Sequence, residues 1–232
     1  IKYSNGKEEN IMFNVAIDGP AGAGKSTIAK MVAKKMNLVY VDTGSMYRAM
    51  ALSCIRQGIK AEEHEKVAQA VKDLNISLEY EDGVQQVILN GENVNAYIRT
   101  EEVGNMTSAI AAYGEVRERL VDMQQAIARQ KDVIMDGRDI GTCVLKDAPV
   151  KIYLTAAPRT RAERRYLELK EKGQECDIDT IEKDIIDRDY RDMHREISPL
   201  KQAEDAILVD SSDMTIQQVV DAISDIIRER IS

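Results

Sequence analysis

The chain has 232 residues, of which 44% are hydrophobic and 31% charged, enough for the core of one α/β domain with sizeable insertions. Its 40 acidic and 32 basic residues give a net charge of −8, which disfavours duplex nucleic acid as a partner unless a local basic patch overrides it. Three widely separated cysteines fit no CxxC metal pattern and suggest no disulfides, and no stretch is apolar enough to span a membrane. We therefore expect a cytoplasmic protein with reduced thiols.

The N-terminus differs in character from the rest of the chain. Residues 1–11 are polar, lack the apolar core of a signal peptide and precede Met12. We expect them to be an upstream extension or a remnant of cloning, and the folded domain to span residues 12–232.

The first chemically informative segment is the glycine-rich stretch GPAGAGKST. It follows a short apolar run at 13–18 and precedes a segment with helical periodicity at 28–36. The spacing G-x4-G-K-S is that of a P-loop, in which glycines let the backbone approach an anion at a helix N-terminus. A plain glycine-rich turn is the alternative, and the eight-position match between a strand and a helix disfavours it.

The P-loop pattern predicts a nucleoside triphosphate site with a role for each side chain. Lys25 can reach the β- and γ-phosphates, and the Ser26 hydroxyl can ligate Mg²⁺. The expected ATP-binding residues are Gly19, Pro20, Ala21, Gly22, Ala23, Gly24, Lys25, Ser26 and Thr27.

Strands and helices alternate along the remaining chain, with one interruption. The predicted strands lie at 13–18, 38–41, 76–80, 84–89, 94–98, 133–135, 150–154 and 206–209. The predicted helices lie at 28–36, through 50–52 to about 58, at 101–112, at 115–130, within 158–196 and at 216–227. Turn signals at Asp82-Gly83 and Asn90-Gly91 make 76–98 an antiparallel meander inside an inserted subdomain of about residues 60–100. The rest predicts an α/β fold with a mainly parallel sheet that binds ligands at the carboxyl ends of its strands.

Several charged residues in the predicted strands, helices and loops could either bind a ligand or lie solvated at the surface. Asp136-Gly137-Arg138-Asp139 follows a buried strand at the edge that carries the P-loop, so we expect it to face the ligand rather than form a surface turn. Arg48 and Arg117 are ambiguous between binding and solvation, and we favour solvation for Arg99. His64 and His194 lack a partner pattern and are expected at the surface.

Two sets of arginines occur between residues 158 and 196. One set shares a helix face at Arg161, Arg164 and Arg165, and the other at Arg188, Arg191 and Arg195. Nearby acidic residues favour one interpretation, in which these arginines lie on solvated helices and form ion pairs. In the other interpretation, a mobile segment that carries arginines lies beside the P-loop, neutralises phosphate charge and excludes water.

Two classes of P-loop protein compete with a kinase. A regulatory GTPase would need a DxxG switch and an N-K-x-D guanine-binding motif, and neither tetrapeptide occurs in the chain. A nucleotide-binding protein without catalytic activity remains open. A small-molecule kinase fits best, because the meander could form an acceptor subdomain and the arginine-rich segment a lid.

Six stretches, taken together and in order, resemble the bacterial cytidylate kinases. They are IDGPAGAGKST, VDTGSMYRAMAL, IRTEEVGNMTSAIA, VRERLVDMQQ, MDGRDIGTCVLKDAPVKIYL and RDYRDMHREISPL. The resemblance covers the chain from about Met12 onward. It implies a three-layer P-loop fold with a parallel sheet, an inserted monophosphate-binding subdomain at 60–100 and a helical lid at 158–196.

The resemblance also implies an activity. The γ-phosphoryl group of ATP would be transferred to CMP or dCMP in pyrimidine nucleotide metabolism, with Mg²⁺ accompanying ATP. The protein would be a monomer without a nucleic-acid or membrane partner. Lys25, Arg138 and Arg188 would be catalytic, and Ser26 would be the metal ligand.

The acceptor residues implied by the resemblance are Thr43, Arg48, Ser108, Arg117, Arg138, Asp139, Arg188, Asp192 and Arg195. Arg48 and Arg138 would grip the CMP phosphate, Arg188 and Asp192 would lie near the sugar, and Arg195 would help close the site. Ser108, Arg117 and Asp139 would bind the cytosine edge. A carboxylate suits the cytosine N4 amino donor and disfavours the carbonyl that uracil has there.

Overall fold

The computed structural model of the protein describes residues 3–4, 7–8, 12–72 and 74–231. Its strands are β1 (Tyr3–Ser4), β2 (Lys7–Glu8), β3 (Asn14–Asp18), β4 (Val39–Asp42), β5 (Ile76–Glu81), β6 (Val84–Leu89), β7 (Glu92–Asn93), β8 (Val133–Gly137), β9 (Val150–Thr155) and β10 (Ile207–Asp210). Its helices are α1 (Lys25–Met36), α2 (Thr43–Arg56), α3 (His64–Lys72), α4 (Glu101–Ile110), α5 (Gly114–Ala128), α6 (Pro158–Glu171), α7 (Ile178–His194) and α8 (Ile216–Ile231). A π-helical turn forms at Ile140–Val144.

The N-terminal segment is described only at β1 and β2, which pair as a short antiparallel ladder. The expectation that residues 1–11 are an extension or a cloning remnant otherwise lies outside the described residues. Within the described part of the chain, no helix is long and apolar enough to cross a membrane.

The chain divides into two compact units. The first consists of residues 1–40 and 126–232, and the second of residues 41–125. The bounds predicted for the insert and the lid, 60–100 and 158–196, stay predictions.

The first unit contains the predicted parallel sheet. The strand order is β10-β9-β3-β8-β4, and β3 pairs in parallel with both β8 and β9. The side chains of Val15, Ile17, Ile152 and Leu154 are buried in one core cluster with the apolar faces of α1 and α8. Parallel strands buried in this way read as nearly continuous apolar runs, so the α/β prediction is confirmed.

The register of this sheet positions the site. Asp18, the last residue of β3, pairs with Gly137, the last residue of β8. The segments that follow these two strands therefore leave the sheet at the same edge, as expected for a fold that binds ligands at strand ends.

The second unit has its own core and its own sheet. Met46, Met50, Ile98, Ile110 and Leu120 are fully buried in it. Its sheet is antiparallel with the order β5-β6-β7. The core is built from helices with short strands packed against them. Each helix buries only the side that faces this core and therefore needs only one apolar face.

Two expectations for this unit were wrong. The third strand is Glu92–Asn93, not 94–98, because the side chain of Asn95 bonds to the backbone of Val87 and Gln85 and turns the chain there. Helix α3 was not predicted, since only Val67 and Val71 mark its buried face.

Candidate active site

The P-loop between β3 and α1 has a backbone that requires glycine. Gly19, Gly22 and Gly24 have φ values of 149°, 75° and 86°. A Cβ added to Gly19 would lie 1.9 Å from the carbonyl oxygen of Leu154 in β9, so the loop passes directly against the sheet. Gly24 is the N-cap of α1, where free amides and the helix dipole favour an anion.

Lys25 lies inside this loop. Its side chain is buried, and Nζ donates to the carbonyl oxygen of Pro20 at 2.7 Å. Burial lowers the pKa of Lys25 well below its usual value, and the charge of Arg138 acts in the same direction, against the nearby carboxylates of Asp136 and Asp18. An anion bound in the loop would favour the ammonium form.

Ser26 is joined to the end of β8. Its hydroxyl donates to Asp136 Oδ2 at 2.8 Å, and the Tyr40 hydroxyl donates to Oδ1 at 2.8 Å. A hydroxyl beside a carboxylate is an oxygen pair of the kind that Mg²⁺ prefers. Asp136 belongs to the stretch that the sequence predicts to face the ligand, but without an individual role; the structure adds its position beside Ser26.

Metal ligands of the described residues do not form a complete cluster here. No group of three or more His, Cys, Asp and Glu side chains in that part of the chain could hold a metal ion. The pair Ser26–Asp136 would suit Mg²⁺ only together with oxygens from phosphates and water, which is how this ion is usually bound.

Asp18 connects the P-loop strand to the segment after β8. Its carboxylate accepts the backbone N–H groups of Ile140 and Gly141, both at 2.7 Å. Burial raises the pKa of Asp18 to about 6, even though these two hydrogen bonds lower it; Asp139 raises it further and Lys25 lowers it. The carboxylate thereby holds the start of the π-helical turn that follows Asp139.

Five of the nine predicted acceptor residues belong to the first unit, and four of these five form two close pairs. Arg138 Nε donates to Asp192 Oδ2 at 2.9 Å, and Arg195 Nη2 lies 3.8 Å from Asp139 Oδ1. Arg188 is also half-buried, one turn before Asp192 on α7. Arg191, by contrast, is exposed. The three arginines predicted to share a helix face therefore do not share one environment.

The arginines of α6 also differ from one another. Arg161 is buried, Arg164 is half-buried and Arg165 is exposed and paired with Glu168. The solvated, ion-paired interpretation therefore applies to Arg165; Arg161 is ion-paired with Asp189 but buried, so solvation is wrong for it.

The other predicted acceptor residues belong to the second unit. Arg117 on α5 is only 4% exposed; it donates to the Ala111 carbonyl at 3.4 Å and lies 5.9 Å from the ring centre of Tyr47. Arg48 on α2 is half-buried and donates to the Ile98 carbonyl at 3.3 Å. Neither is a solvated surface charge.

Thr43 and Ser108 complete this set. Thr43 is buried at the first position of α2, and Ser108 is half-buried on α4. A Cβ at Gly104, one turn before Ser108, would lie 3.4 Å from Arg48 Nη1, so the Arg48 guanidinium lies against α4.

The start of α2 is held by three side chains. Asp42 accepts from Ser45 N at 3.0 Å and pairs with Arg99 at 2.7 Å, although the Arg99 side chain is 59% exposed. Gln85 of β6 accepts from Asp42 N at 2.8 Å and donates to Ser45 Oγ at 2.8 Å. No pattern in the sequence points to Gln85, and the solvated prediction for Arg99 holds only in part.

The two histidines are on the surface, as expected. The His64 ring lies 3.1 Å from a Glu115 carboxylate oxygen, and His194 stacks on Tyr190 with ring centres 4.0 Å apart. Both imidazoles are exposed, and neither contact places them among the residues above.

Comparison with known proteins gives one consistent family. The family model for cytidylate kinase matches residues 15–229. A cytidylate kinase of Caldicellulosiruptor saccharolyticus is 50% identical over 208 residues, which cover 90% of this chain and 92% of that protein. One from Leuconostoc mesenteroides is 50% identical over 220 residues, which cover 95% and 98%. A solved shikimate kinase from Bacteroides thetaiotaomicron has a TM-score of 0.49 and 14% identity, covering 94% of this chain and 99% of its own.

Proposed function

The chain belongs to the cytidylate kinase family, and from this premise we propose that it transfers the γ-phosphoryl group of ATP to CMP or dCMP. The products are ADP and CDP or dCDP. The observation that supports this most strongly is the P-loop itself, in which Lys25 is enclosed and Ser26 bonds to Asp136.

The donor is assigned to the P-loop. Backbone N–H groups of residues 19–27, except Pro20, which has none, bind the phosphates, and the Lys25 ammonium follows the charge that develops on the transferred group. Ser26, with Asp136 beside it, would hold Mg²⁺. When it is bound, the ion neutralises negative charge on the phosphate oxygens.

The acceptor phosphate is assigned to arginines. Arg48 and Arg138 bind the CMP phosphate, Thr43 lines its site, and a guanidinium matches a phosphate with two parallel hydrogen bonds. Arg188 and Asp192 bind the sugar side, and Arg195 helps to close the site. Arg138 and Arg188, with Lys25, are the proposed catalytic residues. The pair Arg138–Asp192 supports the assignment, since an exchangeable ion pair can release the guanidinium to a substrate phosphate.

The base is assigned to Ser108, Arg117 and Asp139. A carboxylate accepts from the cytosine amino group, while a guanidinium and a hydroxyl donate to its ring nitrogen and carbonyl. Asp139 and Arg117 are both buried, so a base whose donors and acceptors do not match theirs would bind at a high cost.

The test is an ADP-release assay with ATP and Mg²⁺, in which CMP, dCMP, UMP, AMP, GMP and shikimate are added separately. We expect strong turnover with CMP and dCMP and weak turnover with the rest. Turnover on another acceptor would leave a P-loop kinase but remove the base assignment. Tight ATP binding without turnover on any acceptor would favour a nucleotide-binding protein without catalytic activity.

We also propose that the protein acts as a monomer, the state that the family resemblance implies. Light scattering at assay concentrations measures this directly. A mass of about one chain is expected, and a stable dimer would contradict it.

A further inference from the structure

Arg161 is buried although most of α6 is charged and exposed. Its side chain is only 3% exposed, and its guanidinium contacts three acceptors. Nε donates to the Ala156 carbonyl at 2.8 Å, Nη1 donates to the Ala21 carbonyl at 2.9 Å, and Nη2 lies 2.6 Å from Asp189 Oδ2. The side chain therefore joins the start of α6, the P-loop and α7.

Stability alone is a poor explanation for this pair. The desolvation cost of burying two charges cancels much of the free energy of their attraction. Apolar residues of similar size at such positions often give the same stability. The second carboxylate oxygen of Asp189 is also buried and accepts no hydrogen bond from the described residues. A pair retained at this cost points to something that it holds in position.

The group it holds is a P-loop peptide. In a trans peptide the C=O and the following N–H point in opposite directions, and the described chain has no cis bonds. Fixing the Ala21 carbonyl on Arg161 therefore turns the Gly22 N–H away from α6. Gly22 has a φ of 75°, and a Cβ there would lie 3.5 Å from the Arg161 Cβ, so the arginine stem packs against the loop.

We propose that Arg161, held by Asp189, is a positioning residue of the P-loop that aims the Gly22 N–H at the phosphates of the donor nucleotide. This inference rests on the proposed binding of ATP. Asp189 is adjacent in sequence to Arg188, so the same ion pair ties the donor loop to the helix that carries proposed acceptor residues.

The test compares two arginines of the same helix. Arg161→Met keeps an aliphatic stem and removes the donors. Arg164→Met is the matched control, because the Arg164 guanidinium donates instead to Ser211, at 2.7 Å to its carbonyl and 3.3 Å to its hydroxyl. We expect Arg161→Met to raise KM for ATP about tenfold, the order expected for one hydrogen bond to a charged group. KM for CMP should change less than about twofold by the same argument, and Arg164→Met should leave KM for ATP unchanged.

The effects on KM for ATP and on kcat distinguish a positioning role from a purely structural one. A purely structural role would lower the melting temperature and the active fraction, and therefore kcat, without moving KM for ATP. An unchanged KM for ATP in Arg161→Met overturns the proposal, whatever happens to kcat. If Arg161→Met does not fold, Asp189→Asn keeps the shape and removes the charge. A rise in KM for ATP is then expected, and no rise overturns the proposal.

Failure of the proposed function would be recognised separately. If the unaltered protein does not phosphorylate CMP, the kinase assignment fails, and ATP is titrated directly into both methionine variants by calorimetry. Weaker ATP binding by Arg161→Met than by Arg164→Met still supports the positioning role, and equal binding overturns it.

Discussion

The two units hold their proposed functional residues by different means. In the first, the loop that encloses Lys25 is shaped by backbone: glycines at positive φ, strand ends in register, and a carbonyl of β9 against Gly19. In the second, Arg48 and Arg117 extend from helices over an apolar core, and Gln85 holds the start of α2. The first unit should therefore be sensitive to changes in backbone and buried charge, and the second to loss of single side-chain hydrogen bonds.

The largest expected effect is at the centre of the P-loop. Lys25→Ala should lower kcat for CMP phosphorylation by about 10³-fold, since a preorganised charge at the transferred group contributes on that order. The ADP-release assay measures it, and Lys34→Ala, an exposed lysine of the same helix, is the control. Retained turnover with a native circular dichroism spectrum would remove Lys25 from the mechanism.

The backbone dependence of the first unit can be isolated with two glycines. Gly19→Ala should destabilise the protein by more than about 3 kcal/mol, because the new Cβ overlaps the Leu154 carbonyl. Gly173→Ala also puts an alanine at positive φ (70°, in the left-handed region) but with open space around it, so about 1 kcal/mol is expected. Urea unfolding measures both, and equal losses would contradict a role for the close approach.

Buried charge in the first unit should appear as a pH dependence. The pKa of Asp18 is raised by burial to about 6 from 3.8, so the folded state binds the proton more tightly. The contribution of Asp18 to stability is therefore fully present below pH 4 and is lost as the pH rises through 6, by up to about 3 kcal/mol. In urea unfolding at pH 4 and pH 7, Asp18→Asn should lose less stability than the unaltered protein. Parallel pH profiles would rule out the raised pKa.

Base selection should depend on Asp139. Asp139→Ala should lower the ratio of kcat/KM for CMP to that for UMP by about tenfold, because the hydrogen bond to the cytosine amino group is lost. Asp147→Ala, at an exposed position a few residues on, serves as the control and should leave the ratio unchanged. A ratio that stays constant in both variants would refute the role of Asp139.

The smallest effect is expected from the side-chain support of the second unit. Gln85→Ala should raise KM for CMP about threefold and leave KM for ATP unaltered, because one neutral hydrogen-bonding group at the start of α2 is lost. Gln86→Ala is the adjacent control, since Gln86 bonds to Asn93 and Asn95 within the meander. Identical kinetics in the two variants would show that Gln85 does not support the acceptor residues.

The sequence predicts the fold well where the information is local. The P-loop, the strand before it and the helix after it follow from spacing and periodicity, and the parallel sheet follows from alternation of strands and helices. The errors are also local: the polar side chain of Asn95 turns the segment at 94–98, and the π-helical turn after Asp139 has no periodicity of its own.

The contacts that the sequence does not predict join distant parts of the chain. Asp18 and Ile140 are 122 positions apart, and Arg161 and Ala21 are 140 apart. The charged residues of α6 have the same spacing in the sequence whether one of the arginines is buried or all of them are solvated. The burial of Arg161 depends on where Ala21 and Asp189 lie after folding, and no local pattern encodes that.

The close approach at Gly19 has a genetic consequence. Every missense change in its codon, whichever base is altered, replaces a hydrogen by a carbon that would sit 1.9 Å from the Leu154 oxygen. In a saturation mutagenesis library selected for kinase activity, all substitutions at this codon should be depleted to a similar extent, small and large side chains alike. At Gly58, Gly83 and Gly91, which have open space around them, depletion should instead follow how well each amino acid tolerates positive φ, with asparagine surviving best.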